Sequence, residues 1–440
     1  MDFLNYLIYI LAGTFIASVL SLIPALHIYN VAGIILLLSF SFPSLLPPDM
    51  LPVFMMAMIV TYSFLNTIPS IFLGAPDDST IFVVLPGQKY MLEHRGYEAA
   101  VITAVGGLAG IVLLILATPL AFKVFPKLMR ILSPHMFWIL GLILVYMVMS
   151  EWPKGSDRAP TALGRMWDAW KSLLAGLLTL VLSGLLGFVI LNKSLLPLQM
   201  SFQGVMPAFV GLFATPWVLT NILSKVDIPK QYLSKDVDLN PALIGRGAAA
   251  GFLGGMFAAL FPIVTGGIGG LLAGHATAQR DERIFILSQG VSKTVYYVGA
   301  FLLFFVPTLH ITRGGLAWMI SPLYTPHTIN DYWLAVGAMA LSAGIAFFLV
   351  LYYSKLIIKL IEKVNYRTIS IGVLIFLIGI IYGLTGWMGL LIMTVATFIG
   401  LIPVLFQSRR MNCMGVLIIP VMLNMAGLGP TISKFLGLIK

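Results

Sequence analysis

Two adjacent carboxylates and one lysine lie in parts of the chain that are otherwise almost entirely apolar. Asp77 and Asp78 stand between apolar stretches, and Lys293 follows Phe285-Ile286-Leu287 and precedes Val295-Tyr296-Tyr297-Val298. An ionised side chain in apolar surroundings must be hydrated, paired or bound to a ligand, so it marks a functional site by default. Carboxylates suit a cation or a proton, and a lysine suits an anionic substrate.

The two carboxylates belong to a stretch that begins at Asn66-Thr67 and returns to apolar residues at Ile81. Its prolines and glycines favour a re-entrant hairpin or a broken helix, which a membrane tolerates only where the backbone lines a cavity. We therefore predict that Asn66, Thr67, Asp77 and Asp78 bind a coupling ion, Na⁺ or H⁺, or act as a gate. A plain exposed loop is the alternative.

A second interruption follows Pro24, which removes a backbone donor from the first apolar run. His27 and Asn30 are three residues apart and so share one face of any helix that follows. Pro24, His27 and Asn30 are predicted to contribute to a substrate site at a broken helix. A proline kink with a hydrogen-bonded histidine is the alternative.

A third interruption is rich in glycine and precedes the lysine. Thr265, Gly266 and Gly267 follow Pro262, and adjacent glycines there leave backbone N–H groups available to an anion. Close helix packing is the usual alternative role for such glycines. The predicted substrate-binding residues of this half are Thr265, Gly266, Gly267, Ser292, Lys293 and Thr294. A structural ion pair of Lys293 with Asp77 or Asp78 is the alternative, and His275 is a further polar residue in an apolar run.

The composition defines the setting of these residues. Of 440 residues, 59% are hydrophobic and 10% are charged, and the mean hydropathy is +1.00. Soluble domains carry roughly 25% charged residues, which excludes a soluble enzyme or a disordered protein. The net charge of +10 is sparse and flanks apolar runs, which excludes a nucleic-acid binder. The runs are continuous, so they predict an all-α polytopic membrane protein of about ten to twelve helices plus re-entrant or broken elements.

Internal similarity predicts two inverted structural repeats. A shift of 238 residues brings Pro24 onto Pro262 and Pro69 onto Pro307, and paired interruptions of this kind indicate a midplane binding site. We predict a first repeat over 1–130, connecting spans with a polar linker over 131–243, and a second repeat with C-terminal spans over 244–440. Basic clusters, including Arg409-Arg410, predict cytoplasmic loops, and Thr385-Gly386-Trp387 predicts the outer turn of one helical pair.

Catalytic chemistry finds no support in the sequence. His-Glu-x-x-His, Gly-x-Ser-Gly and Walker motifs are absent, and Cys413 is the single cysteine. We therefore expect neither an enzyme nor a bound cofactor or metal.

The interrupted stretches resemble the TctA-like large membrane subunit of tripartite tricarboxylate transporters, in particular its shorter archaeal-type relatives. The matching stretches are Gly74-Ala75-Pro76-Asp77-Asp78, Pro86-Gly87, Gly96-Tyr97-Glu98-Ala99-Ala100, Gly290-Val291-Ser292-Lys293-Thr294 and Arg313-Gly314-Gly315. The resemblance implies a two-repeat permease for an anionic solute, driven by an ion gradient and assisted by a small membrane subunit and a soluble binding protein. In the first half, Ala25-Leu26-His27 replaces the glycine-rich loop typical of that family.

The sequence thus predicts a secondary transporter in the cytoplasmic membrane that couples a carboxylate-type anion to a cation or proton gradient. One alternative is a translocase of a lipid phosphate such as polyprenyl phosphate, and another is a membrane scaffold without transport. The expected partners are the anion or lipid phosphate, membrane lipids and the two accessory subunits, with no nucleic acid.

Overall fold

The structure is a computed structural model that describes residues 3–24, 26–42, 44–153, 159–193, 195–196, 203–224, 228–307, 309, 311–312 and 314–439. These residues form helices and connecting segments, and no strand occurs among them. In chain order the α-helices are α1 Phe3–Leu20, α2 Ile28–Ser41, α3 Leu51–Leu65, α4 Thr67–Phe72, α5 Ile81–Leu92, α6 Gly96–Leu116, α7 Thr118–Lys123, α8 Phe125–Leu132, α9 Met136–Met149, α10 Ala162–Asn192, α11 Met206–Phe209, α12 Thr215–Leu223, α13 Pro241–Leu260, α14 Gly266–Ala276, α15 Glu282–Leu302, α16 Gly315–Ile320, α17 Ile329–Lys363, α18 Tyr366–Leu405, α19 Gly415–Met425 and α20 Gly429–Phe435.

The predicted all-α polytopic membrane architecture is confirmed. Nine helical segments of the described chain are long and apolar enough to cross a membrane, and a tenth results if the bent pair α19–α20, with the turn before it, counts as one span. α15 is not among them, because polar residues interrupt its apolar sequence. Most of its side chains are buried within the protein, which is how a helix this polar is accommodated.

Contacts within the chain define two compact units. The first comprises residues 1–129 and 221–373, and the second comprises 130–220 and 374–440. Each unit is therefore built from two separate stretches of sequence. The predicted repeat boundaries at 130 and 244 stay a prediction, because a division based on contacts does not test which segments repeat.

Within the first unit, both predicted interruptions lie at the predicted places. α1 ends at Leu20 and α2 begins at Ile28, while α13 ends at Leu260 and α14 begins at Gly266. The breaks contain Pro24 and Pro262, which are 238 positions apart. At the same spacing, α3 corresponds to α15 and α6 to the middle of α17. The order of elements thus recurs in the two halves, and their inverted orientation stays a prediction.

The two halves of the first unit are intertwined. α15 packs against α13 of its own half and α6 of the other, and α3 packs against α1 of its own half and α17 of the other. The α6–α15 contact depends on glycine. A Cβ added at Gly106 would lie 2.4 Å from the carbonyl oxygen of Leu287, and one added at Gly290 would lie 2.4 Å from that of Thr103. Such close backbone approach stabilises helix pairs without help from large side chains.

In the second unit, α18 is two helical segments joined at Gly386, as the sequence predicts. Gly386 has φ 65° and ψ −160°, which is not helical. A Cβ added at Gly389 would lie 3.4 Å from Ile381, eight residues earlier, whereas a straight helix rises about 12 Å over eight residues. The chain therefore folds back at this glycine. A cavity of about 320 Å³ lies between the two segments and α12, lined mainly by leucine, isoleucine and threonine side chains.

The polar connecting segments carry little regular structure. Residues 228–240, in the polar linker before α13, contain no helix, while 225–227 lie outside the described residues. In the charged, tryptophan-containing stretch 151–171, α10 begins at Ala162, and Trp152, Trp167 and Trp170 are exposed. Residues 154–158 lie outside the described part of that stretch.

Candidate functional site

Five segments of the first unit bring the predicted polar residues together. They are the break before α2, the junction of α3 and α4 at Asn66, the loop 73–80, the start of α14 and the middle of α15. α4 has six residues and α5 has twelve, so neither spans a membrane. The acidic loop between them is buried. It thus lies inside the protein, where irregular backbone is tolerated.

Asp77 is the most heavily hydrogen-bonded side chain of the site. Oδ1 accepts hydrogen bonds from the backbone N–H and hydroxyl groups of Ser79 and Thr80 at 2.8–3.0 Å. Oδ2 accepts hydrogen bonds from the side chains of Tyr62, Asn66 and Tyr297 at 2.6, 2.9 and 3.4 Å. A carboxylate offers about four lone-pair directions. Asp77 is therefore saturated as an acceptor and fixes the loop to α3 and α15.

Lys293 is buried, with 1% of its surface exposed. Its Nζ donates to Asn66 Oδ1 at 2.7 Å and to the hydroxyl oxygen of Thr67. No ion pair in the described part of the chain includes this lysine. The alternative of a direct pair with Asp77 or Asp78 is thus not what this structure contains. Asn66 instead links the ammonium group to Asp77, because its Nδ2 donates to that carboxylate.

Asp78 has the opposite character to its neighbour. It is 6% exposed, and its Oδ1 accepts no hydrogen bond from the residues that the structure describes. The Nε2 atom of His27 lies 3.4 Å from this oxygen. On the backbone side, Thr265 Oγ1 donates to the carbonyl oxygen of Asp78 at 3.3 Å. One residue is therefore in contact with the starts of both half-helices, α2 through His27 and α14 through Thr265.

His27 caps α2 with its ring. Nδ1 accepts the backbone N–H of Tyr29 at 3.2 Å, so the hydrogen-bond network assigns the ring proton to Nε2. Nε2 lies 3.1 Å from the hydroxyl oxygen of Tyr297 and faces Asp78. A second proton could enter the ring only at Nδ1, where it would displace the cap. The protonation of His27 and the start of α2 are therefore linked.

Three further predicted residues, Ser292, Gly266 and Gly267, hold α14 close to α15 and the acidic loop. Ser292 donates to the carbonyl oxygen of Gly266 at 2.7 Å, which ties α14 to α15. A Cβ at Gly266 would lie 2.6 Å from Lys293 Cα, and one at Gly267 would lie 3.0 Å from the carbonyl oxygen of Ser79. The two glycines thus let the start of α14 approach α15 and the acidic loop.

Three more predicted substrate-binding residues are Pro24, Asn30 and Thr294. Pro24 lies in the break between α1 and α2, and Asn30 is buried in the first turn of α2. Thr294 is fully buried, and within the described part of the chain its hydroxyl group has no hydrogen-bond partner. His275, at the other end of α14, is exposed and is not part of the cluster.

Two tyrosines complete the site and were not predicted. Tyr62 and Tyr297 both donate to Asp77, and their rings are 5.6 Å apart at an angle of 83°. The ring of His27 lies 5.8 Å from each. The sequence signal was weak, because both tyrosines stand in continuous apolar runs where aromatic residues are common.

Three ligand atoms of the site are close enough to share one cation. His27, Asp77 and Asp78 each offer an atom, and these atoms lie within 4.8 Å of one another. Two of the three groups are already engaged, Asp77 by its seven hydrogen bonds and His27 by Tyr29. Asp78 is the carboxylate with free acceptor capacity.

Comparison with known proteins identifies the family. The model of the tripartite tricarboxylate transporter TctA family matches residues 7–415. The chain belongs to the TctA family. It is therefore a multi-pass membrane protein of a transporter family, as the resemblance of its motifs implied. The chain is also 26% identical over 425 residues to an uncharacterized protein of Methanocaldococcus jannaschii, a match that covers 95% of this chain and 98% of the relative. No solved structure matches the chain.

Proposed function

We propose that this chain is the large membrane subunit of a secondary transporter that carries a carboxylate-type anion together with a proton. The contact of both half-helix starts with Asp78 carries the proposal. His27 and Thr265 cap α2 and α14, and the start of a helix favours negative charge. Two such starts in contact with one residue form a place suited to an anion.

Lys293 supports an anionic substrate. Its side chain is a buried amine whose hydrogen-bond partners, Asn66 and Thr67, are neutral, and Asp77 is linked to it only through Asn66. A buried charge without an opposite charge beside it is costly. A substrate carboxylate at Lys293 would remove that cost, so the closed site would be more stable with substrate bound than when empty.

Asp78 supplies a simple coupling mechanism. Ionised Asp78 places a negative charge near the two helix starts, and this charge repels a second anion. A proton taken up by the His27–Asp78 pair neutralises the carboxylate, and the substrate anion then binds beside it. Each ligand thereby favours the loaded state. Na⁺ is the alternative coupling ion, since His27, Asp77 and Asp78 could hold a cation between them.

The family description supports the remaining assignments. Tripartite transporters have three components, so we propose a small membrane subunit and a soluble binding protein as partners of this chain. The cytoplasmic membrane is the proposed location.

Uptake by proteoliposomes tests the role of Lys293. Lys293→Ala is expected to lower uptake at limiting substrate by at least tenfold, because a charge-assisted hydrogen bond contributes about 1.5–3 kcal/mol. Lys89→Ala is the matched control, since Lys89 is exposed and pairs with Glu282. Undiminished uptake by Lys293→Ala would exclude the lysine from substrate binding.

A thermal-shift panel identifies the class of cargo. Carboxylates and a polyprenyl phosphate are titrated separately, because a true ligand at 100 times its Kd stabilises the protein by about 2.7 kcal/mol. Stabilisation by carboxylates that Lys293→Ala abolishes supports the proposal. Stabilisation by the lipid phosphate alone would make the protein a lipid translocase, and no stabilisation by either would favour a scaffold. Imposed proton and Na⁺ gradients then distinguish the two coupling ions.

A further inference from the structure

The second unit contains two adjacent arginines, Arg409 and Arg410, that have no role in the proposed transport. Arg410 is 8% exposed and begins the short 3-10 helix Arg410–Met414, directly after Arg409. The Arg410 guanidinium stacks 3.9 Å above the ring of Trp217 on α12 and donates from Nη1 to the carbonyl oxygen of Phe213 at 3.1 Å. These contacts hold the guanidinium in one place without neutralising its charge.

Neither arginine has a carboxylate partner in the part of the chain that is described. The ion pairs there include neither Arg409 nor Arg410. Glu151 is the acidic residue beside them, and it accepts hydrogen bonds from the backbone N–H of Arg409 and from Asn412 Nδ2. Burial raises the pKa of the Glu151 carboxyl, which weakens it further as a counter-ion. The charge of Arg409 acts on this carboxyl, whereas Arg410 has no counter-ion among the described residues.

Several hydrogen-bond donors of this cluster also have no partner among the described residues. They are Arg410 Nη2, Arg409 Nη1, Ser408 Oγ and Trp217 Nε1, all of them buried atoms. Buried polar groups in proteins are almost always hydrogen-bonded, so each exception requires an explanation. Three of these donors come from consecutive residues and the fourth from the indole on which Arg410 stacks. An acceptor with several oxygens and a negative charge would satisfy donors of this kind.

We infer that Ser408, Arg409, Arg410 and Trp217 form a binding site for a phosphate group. Guanidinium groups bind phosphate through paired hydrogen bonds, and a phosphate has enough oxygens for all four donors. The side chains of Ser408 and Arg409 are partly exposed, which gives access from the surface. Leu405 and Phe406, separated from Ser408 by Gln407, are exposed apolar residues. A phosphate held beside such residues comes from a phospholipid headgroup or from a free phosphate ion.

Thermal unfolding of the purified, delipidated full-length protein tests this site. Phosphatidylglycerol in mixed micelles, phosphatidylcholine in the same micelles and inorganic phosphate are titrated separately. Phosphatidylglycerol or inorganic phosphate is expected to raise the melting temperature of the wild type. Arg410→Gln and Arg409→Gln should weaken the apparent affinity about tenfold to hundredfold. Arg367→Gln, which changes an exposed arginine, is the matched control and should leave the affinity unchanged.

The outcomes separate the two sources and decide the proposal. A response to phosphatidylglycerol alone identifies the lipid headgroup, and a response to inorganic phosphate identifies a free-anion site. If Arg410→Gln does not fold, Arg409→Gln decides alone, since its side chain is only partly buried. Titrations that give no shift with either anion, or equal shifts in the wild type and both variants, would overturn the inference.

Discussion

His27 and Thr265 stand 238 positions apart in the sequence, and both contact Asp78. Each is the N-cap of a helix that begins after a proline-containing break, and each accepts a backbone N–H from the first turn of that helix. His27 faces the carboxylate of Asp78, whereas Thr265 donates to its carbonyl oxygen. The two predicted half-sites are therefore occupied by different residue types with the same capping role.

Replacement of His27 by threonine separates capping from proton exchange. Threonine caps helices well, so His27→Thr is expected to melt near the wild-type temperature, whereas His27→Leu should lose about 1 kcal/mol of stability. In both variants the imidazole beside Asp78 is gone, and uptake should no longer rise as the external pH falls. The measurement is initial uptake in proteoliposomes across a pH series. A wild-type pH profile in His27→Thr would show that the histidine serves only as a cap.

The two adjacent carboxylates are expected to respond differently to the same substitution. Asp77→Asn places an amide among seven donors. It should lower the free energy of unfolding by about 3 kcal/mol. Asp78→Asn resembles the protonated residue, so it should fold, bind the anion independently of pH and fail to accumulate it against a gradient. Denaturant titration and substrate binding at two pH values measure these effects. Comparable stability losses in both variants would contradict the assignment.

A side chain at Gly386 is expected to lower the stability of the protein. Its backbone lies in a region that only glycine adopts readily, so Gly386→Ala should destabilise the protein by about 1–3 kcal/mol. Gly379→Ala is the control, because Gly379 lies within the helix and its added Cβ would meet no atom within 4 Å. That change should be neutral or stabilising. Equal melting temperatures for the two variants would mean that the turn at Gly386 does not constrain the fold.

The breaks in the helices could be predicted because they have local causes. Proline lacks an N–H group, and paired glycines weaken a helix, so Pro24, Pro262 and the glycines after it mark their positions in any context. The polar residues Asn66, Asp77, Asp78 and Lys293 were visible for a related reason. In a chain with so little charge, each one stands out from its neighbours.

The partners of those residues could not be predicted, because they come from distant parts of the chain. Nothing near Lys293 indicates that it binds Asn66, 227 positions earlier. Tyr62 and Tyr297 resemble the lipid-facing aromatic residues of other apolar runs until the fold brings both to Asp77. In the sequence, Arg409-Arg410 predicts only a charged loop, because it is the packing against α12 that buries the Arg410 side chain.

The intertwined first unit has a consequence for biosynthesis. Asn66, Thr67 and Asp77 leave the ribosome about 230 residues before Lys293 and Tyr297, which at 5–20 residues per second is an interval of about 10 to 45 s. During that time α3 has neither α15 nor α17 to pack against, and Asn66 lacks the lysine to which it is hydrogen-bonded. Packing of the first unit is therefore completed only after α17 has been synthesised.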